Sequence, residues 1–280
     1  MSTTGGDVYA TLHFFSPPTD GSRPQFLVTD PSGTGVRNYP HDPQVVLIRD
    51  LRGREGDFKL EKHGFAAIQE TSSLPAAIRS DGCVDINVLY PEIERLVLKH
   101  VESSSRIFIF DHTTRSTKPG LSPCKPVRKV HIDQTPQAVK LRLDRHLGKD
   151  DANALLRRHA RIRLINVWFP LNPPVLDHPL AFASSESVYD EDLVEVDHIY
   201  PDRTGQTYGV KYNTKQEWWY WSEMQNDEML LLTCFDGVIK DEGMEASQSV
   251  RVAHASFAHP LTPEGVAERS SIEVRCLVVG

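Results

Sequence analysis

The sequence predicts a mainly β protein with flanking helices, arranged as a jelly-roll-like barrel. Short runs of β-branched and aromatic residues are separated throughout by turn-forming residues, with 19 prolines and 17 glycines in 280 residues. Most of these runs follow Arg106, whereas helical spacing is clear in a single segment before it. Because a closed antiparallel sheet leaves few exposed edges, many short strands favour a barrel, and its mouth is the natural place for a ligand site.

The first part of the chain combines strands with an irregular arm. Residues 9–15 and 45–48 are predicted strands, and the turn-rich stretch 17–43 between them is predicted to wrap the surface. Residues 64–69 form a predicted buried strand. We predict one domain over 1–280, in which 1–60 supply the arm and strands that wrap the barrel and about 105–280 form the barrel core.

Two segments have the apolar spacing of helices. Between residues 84 and 101 the apolar side chains recur at helical intervals, namely Leu89, Ile93, Leu96 and Val97. A second helix is predicted over about 136–159, with an interruption at Gly148.

Strand patterns dominate the rest of the chain. The predicted strands are 106–110, 127–132, 162–169, 193–200, 207–212, 217–222, 229–235, 250–255 and 271–279.

Composition and charge limit the possible functions. A hydrophobic content of 39% and a charged content of 25% are those of a globular chain without membrane spans. The net charge of -7 and the absence of a basic run disfavour nucleic-acid binding, so we expect a small-molecule ligand. The four scattered cysteines (Cys83, Cys124, Cys234 and Cys276) and the lack of a signal-like start predict a cytoplasmic protein.

The pair His131 and Asp133 is the first candidate for metal binding. In a strand the two side chains share one face, about 6.5–7 Å apart along the backbone, so both can reach one ion. The spacing alone is weak evidence, since roughly 1.6 such pairs are expected from the composition. The similar pair His100 and Glu102 lies at a predicted helix end, where residues two apart diverge.

A second strand strengthens the metal interpretation. Val250, Val252 and His254 share its apolar, inward face. Two imidazoles and one carboxylate on neighbouring strands form the facial triad that holds iron(II) with open coordination positions. His131, Asp133 and His254 are therefore the candidate catalytic metal ligands.

Arg269 and Ser271 form a candidate carboxylate clamp. They lie on one face of the last predicted strand, and a guanidinium with a hydroxyl suits the remote carboxylate of a dicarboxylic acid such as 2-oxoglutarate. Arg275 shares that face and is the rival clamp.

Two further polar residues are candidate cofactor-binding groups. Asn166 could bind the cosubstrate or a metal-bound water, or could be a satisfied buried amide. Tyr208 could donate to a carboxylate, or could pack in the barrel wall.

Beyond these residues, the chain resembles the mostly fungal hydroxylase/desaturase family related to AsaB and gibberellin desaturase. The resemblance covers most of the sequence and is carried, in order, by His63-Gly64-Phe65, Val130-His131-Ile132-Asp133, Ile165-Asn166-Val167-Trp168, Asp177-His178-Pro179-Leu180-Ala181, Tyr200-Pro201-Asp202-Arg203, Trp219-Tyr220, Cys234-Phe235-Asp236, His254-Ala255-Ser256-Phe257 and Arg269-Ser270-Ser271.

The resemblance implies a double-stranded β-helix oxygenase that uses iron(II), 2-oxoglutarate and oxygen. It implies oxidation of a C–H bond of a small metabolite by hydroxylation, desaturation or ring closure, in secondary metabolism. Two alternatives stay open from the residues alone: a cupin-like iron enzyme that needs no 2-oxoglutarate, and a non-catalytic barrel that binds a small ligand. Oligomerisation is also open, since the arm 17–43 could cap the site or pair with a neighbouring subunit.

Overall fold

The computed structural model describes residues 5–29, 35–71, 74–78, 84–118, 120–238 and 250–280. The strands in these ranges are β1 (Val8–Phe15), β2 (Gln25–Val28), β3 (Gly35–Arg37), β4 (His41–Asp50), β5 (Phe65–Gln69), β6 (Arg106–Ser116), β7 (His131–Ile132), β8 (Arg161–Pro170), β9 (Leu180–Ala183), β10 (Leu193–Ile199), β11 (Thr204–Val210), β12 (Trp218–Tyr220), β13 (Glu228–Val238), β14 (His254–Ser256) and β15 (Ser270–Val279). The α-helices are α1 (Leu60–His63), α2 (Ile86–His100), α3 (Pro136–Leu147) and α4 (Lys149–Arg157).

These strands form two sheets. The larger has ten strands in the order β1-β4-β12-β9-β14-β7-β11-β10-β2-β3, and the smaller has five in the order β5-β13-β8-β15-β6. Phe182 of the larger sheet packs in one apolar cluster with Phe65 and Trp168 of the smaller sheet. The sheets therefore face each other around a shared core, which confirms the prediction of a mainly β, jelly-roll-like architecture.

The helices cover the smaller sheet. The Asp85 side chain caps α2 by accepting a hydrogen bond from the Asn87 amide at 3.0 Å, and the predicted apolar face of α2 packs against this sheet. At Gly148 a φ of 81° separates α3 from α4. Both predicted helices are thus confirmed, including the interruption, because glycine adopts this left-handed conformation without steric cost.

The arm 17–43 is more regular than predicted. β2 adds parallel to β10, with Gln25 opposite Asp197, and β3 pairs with β2. Residues 30–34 of the arm lie outside the described residues. The expectation of an irregular arm was therefore wrong for β2 and β3. These short strands are held by main-chain hydrogen bonds at the sheet edge, which do not require an alternating apolar pattern in the sequence.

The central strands of the larger sheet also differ from expectation. β9 was not predicted, and Pro179, a residue typical of turns, lies just before it. β7 and β14 are shorter than predicted, because the residues before them bond elsewhere. The Val130 amide donates to the His13 carbonyl at 2.8 Å, and the Val252 amide donates to Thr233 of the smaller sheet at 2.8 Å.

Candidate active site

Two histidines meet at the centre of the larger sheet. β7 and β14 are neighbours, and His131 lies directly opposite His254 in their antiparallel pairing. Paired residues project from the same face of a sheet, and the two ring centroids are 4.5 Å apart. Both side chains are buried.

Asp133 completes the group at the end of β7. One ligand atom from each of His131, Asp133 and His254 can be chosen so that all three lie within 4.8 Å of one another. The Nε2 atom of His131 is 3.3 Å from Oδ1 of Asp133. The structure thus brings together the three residues that the sequence pattern selected, from positions far apart in the chain.

The donor set fits a divalent cation. The Nδ1 atom of His131 lies 2.8 Å from the Lys129 carbonyl, and Nδ1 of His254 lies 3.2 Å from the Val252 carbonyl. A neutral imidazole has one N–H, so a histidine that donates from Nδ1 presents an unprotonated Nε2. For His131 that Nε2 faces a carboxylate oxygen, and a metal ion between the two atoms would satisfy both.

The surroundings of Asp133 and His254 favour the protonation states in which these side chains bind a metal ion. Burial alone would raise the pKa of Asp133, but the contact with His131 and the charge of Arg275 outweigh it and hold that pKa well below its ordinary value. Burial lowers the pKa of His254, which favours the neutral imidazole. An ionised carboxylate and neutral imidazoles are the forms that bind metal.

Arg269 is buried with unused hydrogen-bonding capacity. It precedes β15, and its Nη1 donates to the His178 carbonyl and, at 3.3 Å, to the Ser256 hydroxyl. Its Nε and the Ser271 hydroxyl, both buried, have no hydrogen-bond partner among the described residues. Burial also lowers the pKa of Arg269, and it outweighs the opposing charges of Asp177 and Glu273. An incoming carboxylate would supply both the charge and the missing acceptor.

Arg275, the rival clamp, is already engaged. Its guanidinium forms ion pairs with Asp111 at 2.9 Å, with Asp133 at 3.5 Å, and with Glu273. The geometry therefore favours Arg269 over Arg275 as the group left free for a ligand carboxylate.

The structure does not bring Tyr208 to the histidines. Tyr208 lies opposite Ile132 in the pairing of β11 with β7, and both side chains belong to the same apolar cluster. Since successive residues of a strand face opposite sides, Tyr208 is on the other face of the sheet from His131. Of the two interpretations of this tyrosine, packing in the barrel wall fits its position.

Sequence reasoning missed the residues that support the site. Thr117 donates to Asp177 at 2.7 Å, and the same Asp177 oxygen accepts the Arg269 amide at 3.4 Å. The sequence indicates Asn166 as a candidate, but not its partner, Asp133 at 2.8 Å. Lys129 was also missed, because it contacts Nδ1 of His131 through its main-chain carbonyl, and residue type gives no signal for such a contact.

The fold places a His-Asp-His group between two facing sheets, and it buries an arginine whose Nε has no partner among the described residues. Together these features are the framework of a non-haem iron(II) enzyme with a dicarboxylate cosubstrate. Comparison with known proteins agrees. A family model described as "Oxidoreductase/YMDC permease-like domain" matches residues 12–279. No helix in the described part of the chain has the length and apolar character that a membrane span requires.

Named relatives identify the family. The chain is 31% identical over 274 residues to the hydroxylase/desaturase poxK of Penicillium oxalicum, and the alignment covers 89% of this chain and 83% of the relative. It is also 31% identical over 274 residues to the Fe(II)/2-oxoglutarate-dependent dioxygenase nvfI of Aspergillus novofumigatus, and that alignment covers 95% of this chain and 95% of the relative. The chain belongs to this hydroxylase/desaturase family of Fe(II)/2-oxoglutarate-dependent dioxygenases, and the resemblance seen in the sequence is confirmed.

A solved structure supports the same assignment. The iron and alpha-ketoglutarate-dependent endoperoxidase NvfI superimposes with a TM-score of 0.82 at 28% identity, covering 98% of each chain. The protein is thus an oxidoreductase that uses iron(II) and 2-oxoglutarate, as the sequence predicted.

Proposed function

We propose that His131, Asp133 and His254 hold iron(II), and that Arg269 and Ser271 bind the remote carboxylate of 2-oxoglutarate. The observation that carries the proposal is the convergence of three ligand atoms within 4.8 Å on adjacent strands. The bound iron, with 2-oxoglutarate and oxygen, supplies the oxidising power for breaking a C–H bond. The protein contributes the geometry and a water-poor surrounding.

The residues around the site have distinct tasks in this proposal. The carbonyls of Lys129 and Val252 orient the two imidazoles. The His178 carbonyl and the Ser256 hydroxyl hold one end of the Arg269 guanidinium, so that Nε is left for the cosubstrate. A charged hydrogen bond of this kind is strongest where water is excluded, as it is at this buried arginine.

The substrate is a small metabolite whose C–H bond is oxidised by hydroxylation, desaturation or ring closure, in secondary metabolism. The names of the relatives support this range, since poxK is called a hydroxylase/desaturase and NvfI an endoperoxidase. We further propose that the protein acts in the cytoplasm and binds neither nucleic acid nor a membrane. The net charge of -7 and the buried thiols of Cys234 and Cys276 support this placement.

The direct test is anaerobic addition of iron(II) and then 2-oxoglutarate to the purified protein. A keto acid that chelates iron gives a weak visible charge-transfer band, which we expect in the wild type. The band should vanish in His254→Ala and weaken in Arg269→Ala. The exposed His159 offers a matched control, and His159→Asn should keep the band. Bound iron without a band would favour an enzyme independent of 2-oxoglutarate, and the absence of iron binding would favour a ligand-binding barrel.

A further inference from the structure

The two carboxylate oxygens of Asp133 have different partners. Oδ1 lies 3.3 Å from Nε2 of His131, on the side of the histidines. Oδ2 accepts a hydrogen bond from Nδ2 of Asn166 at 2.8 Å and contacts Nε of Arg275 at 3.5 Å. One oxygen is therefore turned toward the candidate metal position, while the other is held by two donors.

These two donors come from the opposite sheet. Asn166 on β8 and Arg275 on β15 are directly opposite each other in the smaller sheet, whereas Asp133 follows β7 of the larger sheet. Partners in register project from the same face, so both side chains reach across the core to one oxygen. The contact links the two halves of the barrel at the metal site.

Arg275 is itself held in place and charged. Its Nη1 donates to Asp111 at 2.9 Å and to Thr113 at 3.0 Å, and its Nη2 pairs with Glu273. The guanidinium thus contacts three carboxylates, those of Glu273, Asp133 and Asp111. With its other nitrogens occupied, the guanidinium presents Nε to Asp133 in a fixed direction.

We propose that Asn166 and Arg275 are positioning residues that hold Oδ2 of Asp133, so that this carboxylate binds the metal through Oδ1 alone. The inference rests on the proposed function, since it takes Asp133 as a metal ligand. A carboxylate that uses one oxygen leaves a coordination position that a bidentate carboxylate would fill, and a facial triad needs its open positions for cosubstrate and oxygen. Donors outside the ligand set that fix a ligand commonly change metal affinity about 10–100-fold when removed.

The test is a titration of the whole protein with Mn²⁺ alone, in which the signal of free Mn²⁺ is followed by electron paramagnetic resonance. Asn166→Leu removes the donor at similar size, and Arg275→Lys keeps the charge but loses the guanidinium Nε. Each is expected to weaken Mn²⁺ binding about 10-fold or more. The visible spectrum of the Co²⁺-loaded protein should also change in both variants, because it reports the number and geometry of the ligands.

A matched control is available elsewhere in the chain. Nδ2 of Asn213 donates to Oδ1 of the buried Asp192 at 3.0 Å, an equivalent bond outside the metal site. Asn213→Leu should leave Mn²⁺ affinity and the Co²⁺ spectrum unchanged. If Asn166→Leu does not fold, Arg275→Lys and the smaller Asn166→Ala carry the same test, since alanine lacks the donor and adds no charge.

The outcomes separate this inference from the proposed function. The triad is supported if the wild type binds Mn²⁺ and His254→Ala does not. If the Asn166 and Arg275 variants then bind Mn²⁺ like the wild type and keep its Co²⁺ spectrum, the positioning role alone is overturned. Lower thermal stability with unchanged metal binding also overturns the positioning role, because it shows a purely structural one. If the wild type binds no Mn²⁺, the triad and the positioning role fall together.

Discussion

His131 and His254 face each other across the pairing of β7 with β14, with their ring centroids 4.5 Å apart. In each, Nδ1 faces the carbonyl of the residue two positions earlier, Lys129 in one case and Val252 in the other. The same local geometry thus orients both rings and points both Nε2 atoms away from their own strands. Two short strands are sufficient to build most of a metal site.

Removal of a metal ligand is expected to abolish activity without unfolding the protein. In His131→Ala and Asp133→Ala, 2-oxoglutarate turnover should fall to background, because two remaining ligands hold iron(II) poorly in this site. Turnover can be followed by succinate formation, and the fold by circular dichroism. Substantial turnover in a correctly folded His131→Ala or Asp133→Ala protein would contradict the assigned triad.

The clamp predicts a selective effect on the cosubstrate. Arg269→Ala should raise the KM for 2-oxoglutarate roughly 10–100-fold, because a hydrogen bond to a charged group contributes about 1.5–3 kcal/mol. Ser271→Ala should have a smaller effect of the same sign. Arg158→Ala, at an exposed arginine, serves as the control and should leave this KM at the wild-type value. A large rise in Arg275→Lys with none in Arg269→Ala would show that the roles of the two arginines are reversed.

Asp177 is expected to make stability depend on acid pH. Burial would raise its pKa, but the hydrogen bonds from His178 and Thr117 lower it to about 2. A carboxyl with a depressed folded-state pKa stabilises the protein above its unfolded pKa of about 3.9, and this contribution is lost as the pH falls toward 2.

The comparison of wild type with Asp177→Asn measures this contribution. The difference between their free energies of unfolding should be largest above about pH 4 and should shrink as the pH falls below that value. Urea unfolding at a series of pH values gives the difference directly. If the difference stays constant from pH 6 down to the acid range, these contacts do not lower the pKa of Asp177.

Gly64 and Gly53 have nearly the same φ, but we expect substitution by alanine to lower the free energy of unfolding by different amounts at the two positions. Gly64 has φ of 80° and its added Cβ would lie 2.6 Å from Cγ2 of Val252, whereas Gly53 has φ of 81° and open space around it. Gly53→Ala should cost about 1 kcal/mol from left-handed strain alone. Gly64→Ala should cost roughly 1–3 kcal/mol more, because the methyl group is forced into the packed core.

Chemical denaturation of Gly64→Ala and Gly53→Ala gives both costs under the same conditions. Val252 is two residues before His254, so the crowding in Gly64→Ala should also weaken Mn²⁺ binding, whereas Gly53→Ala should not change it. Equal destabilisation of the two variants would show that Val252 moves aside for the added methyl group without a loss of stability.

Some features were accessible from the sequence because they depend on local periodicity. Strand alternation placed His131 with Asp133, and Val252 with His254, on shared faces. Helical spacing located α2, and Gly148 located the break between α3 and α4. Periodicity did not find β9, β2 and β3, because main-chain pairing with partners distant in the chain forms them.

The sequence by itself determined the class of fold, the three candidate metal ligands and the pair Arg269 and Ser271, because residue type and spacing along one strand are local properties. The tertiary structure alone decided which arginine keeps an Nε without a partner among the described residues, which oxygen of Asp133 faces the histidines, and on which face Tyr208 lies. Those outcomes depend on register between strands and on how two sheets meet, and contacts between residues more than a hundred positions apart set both.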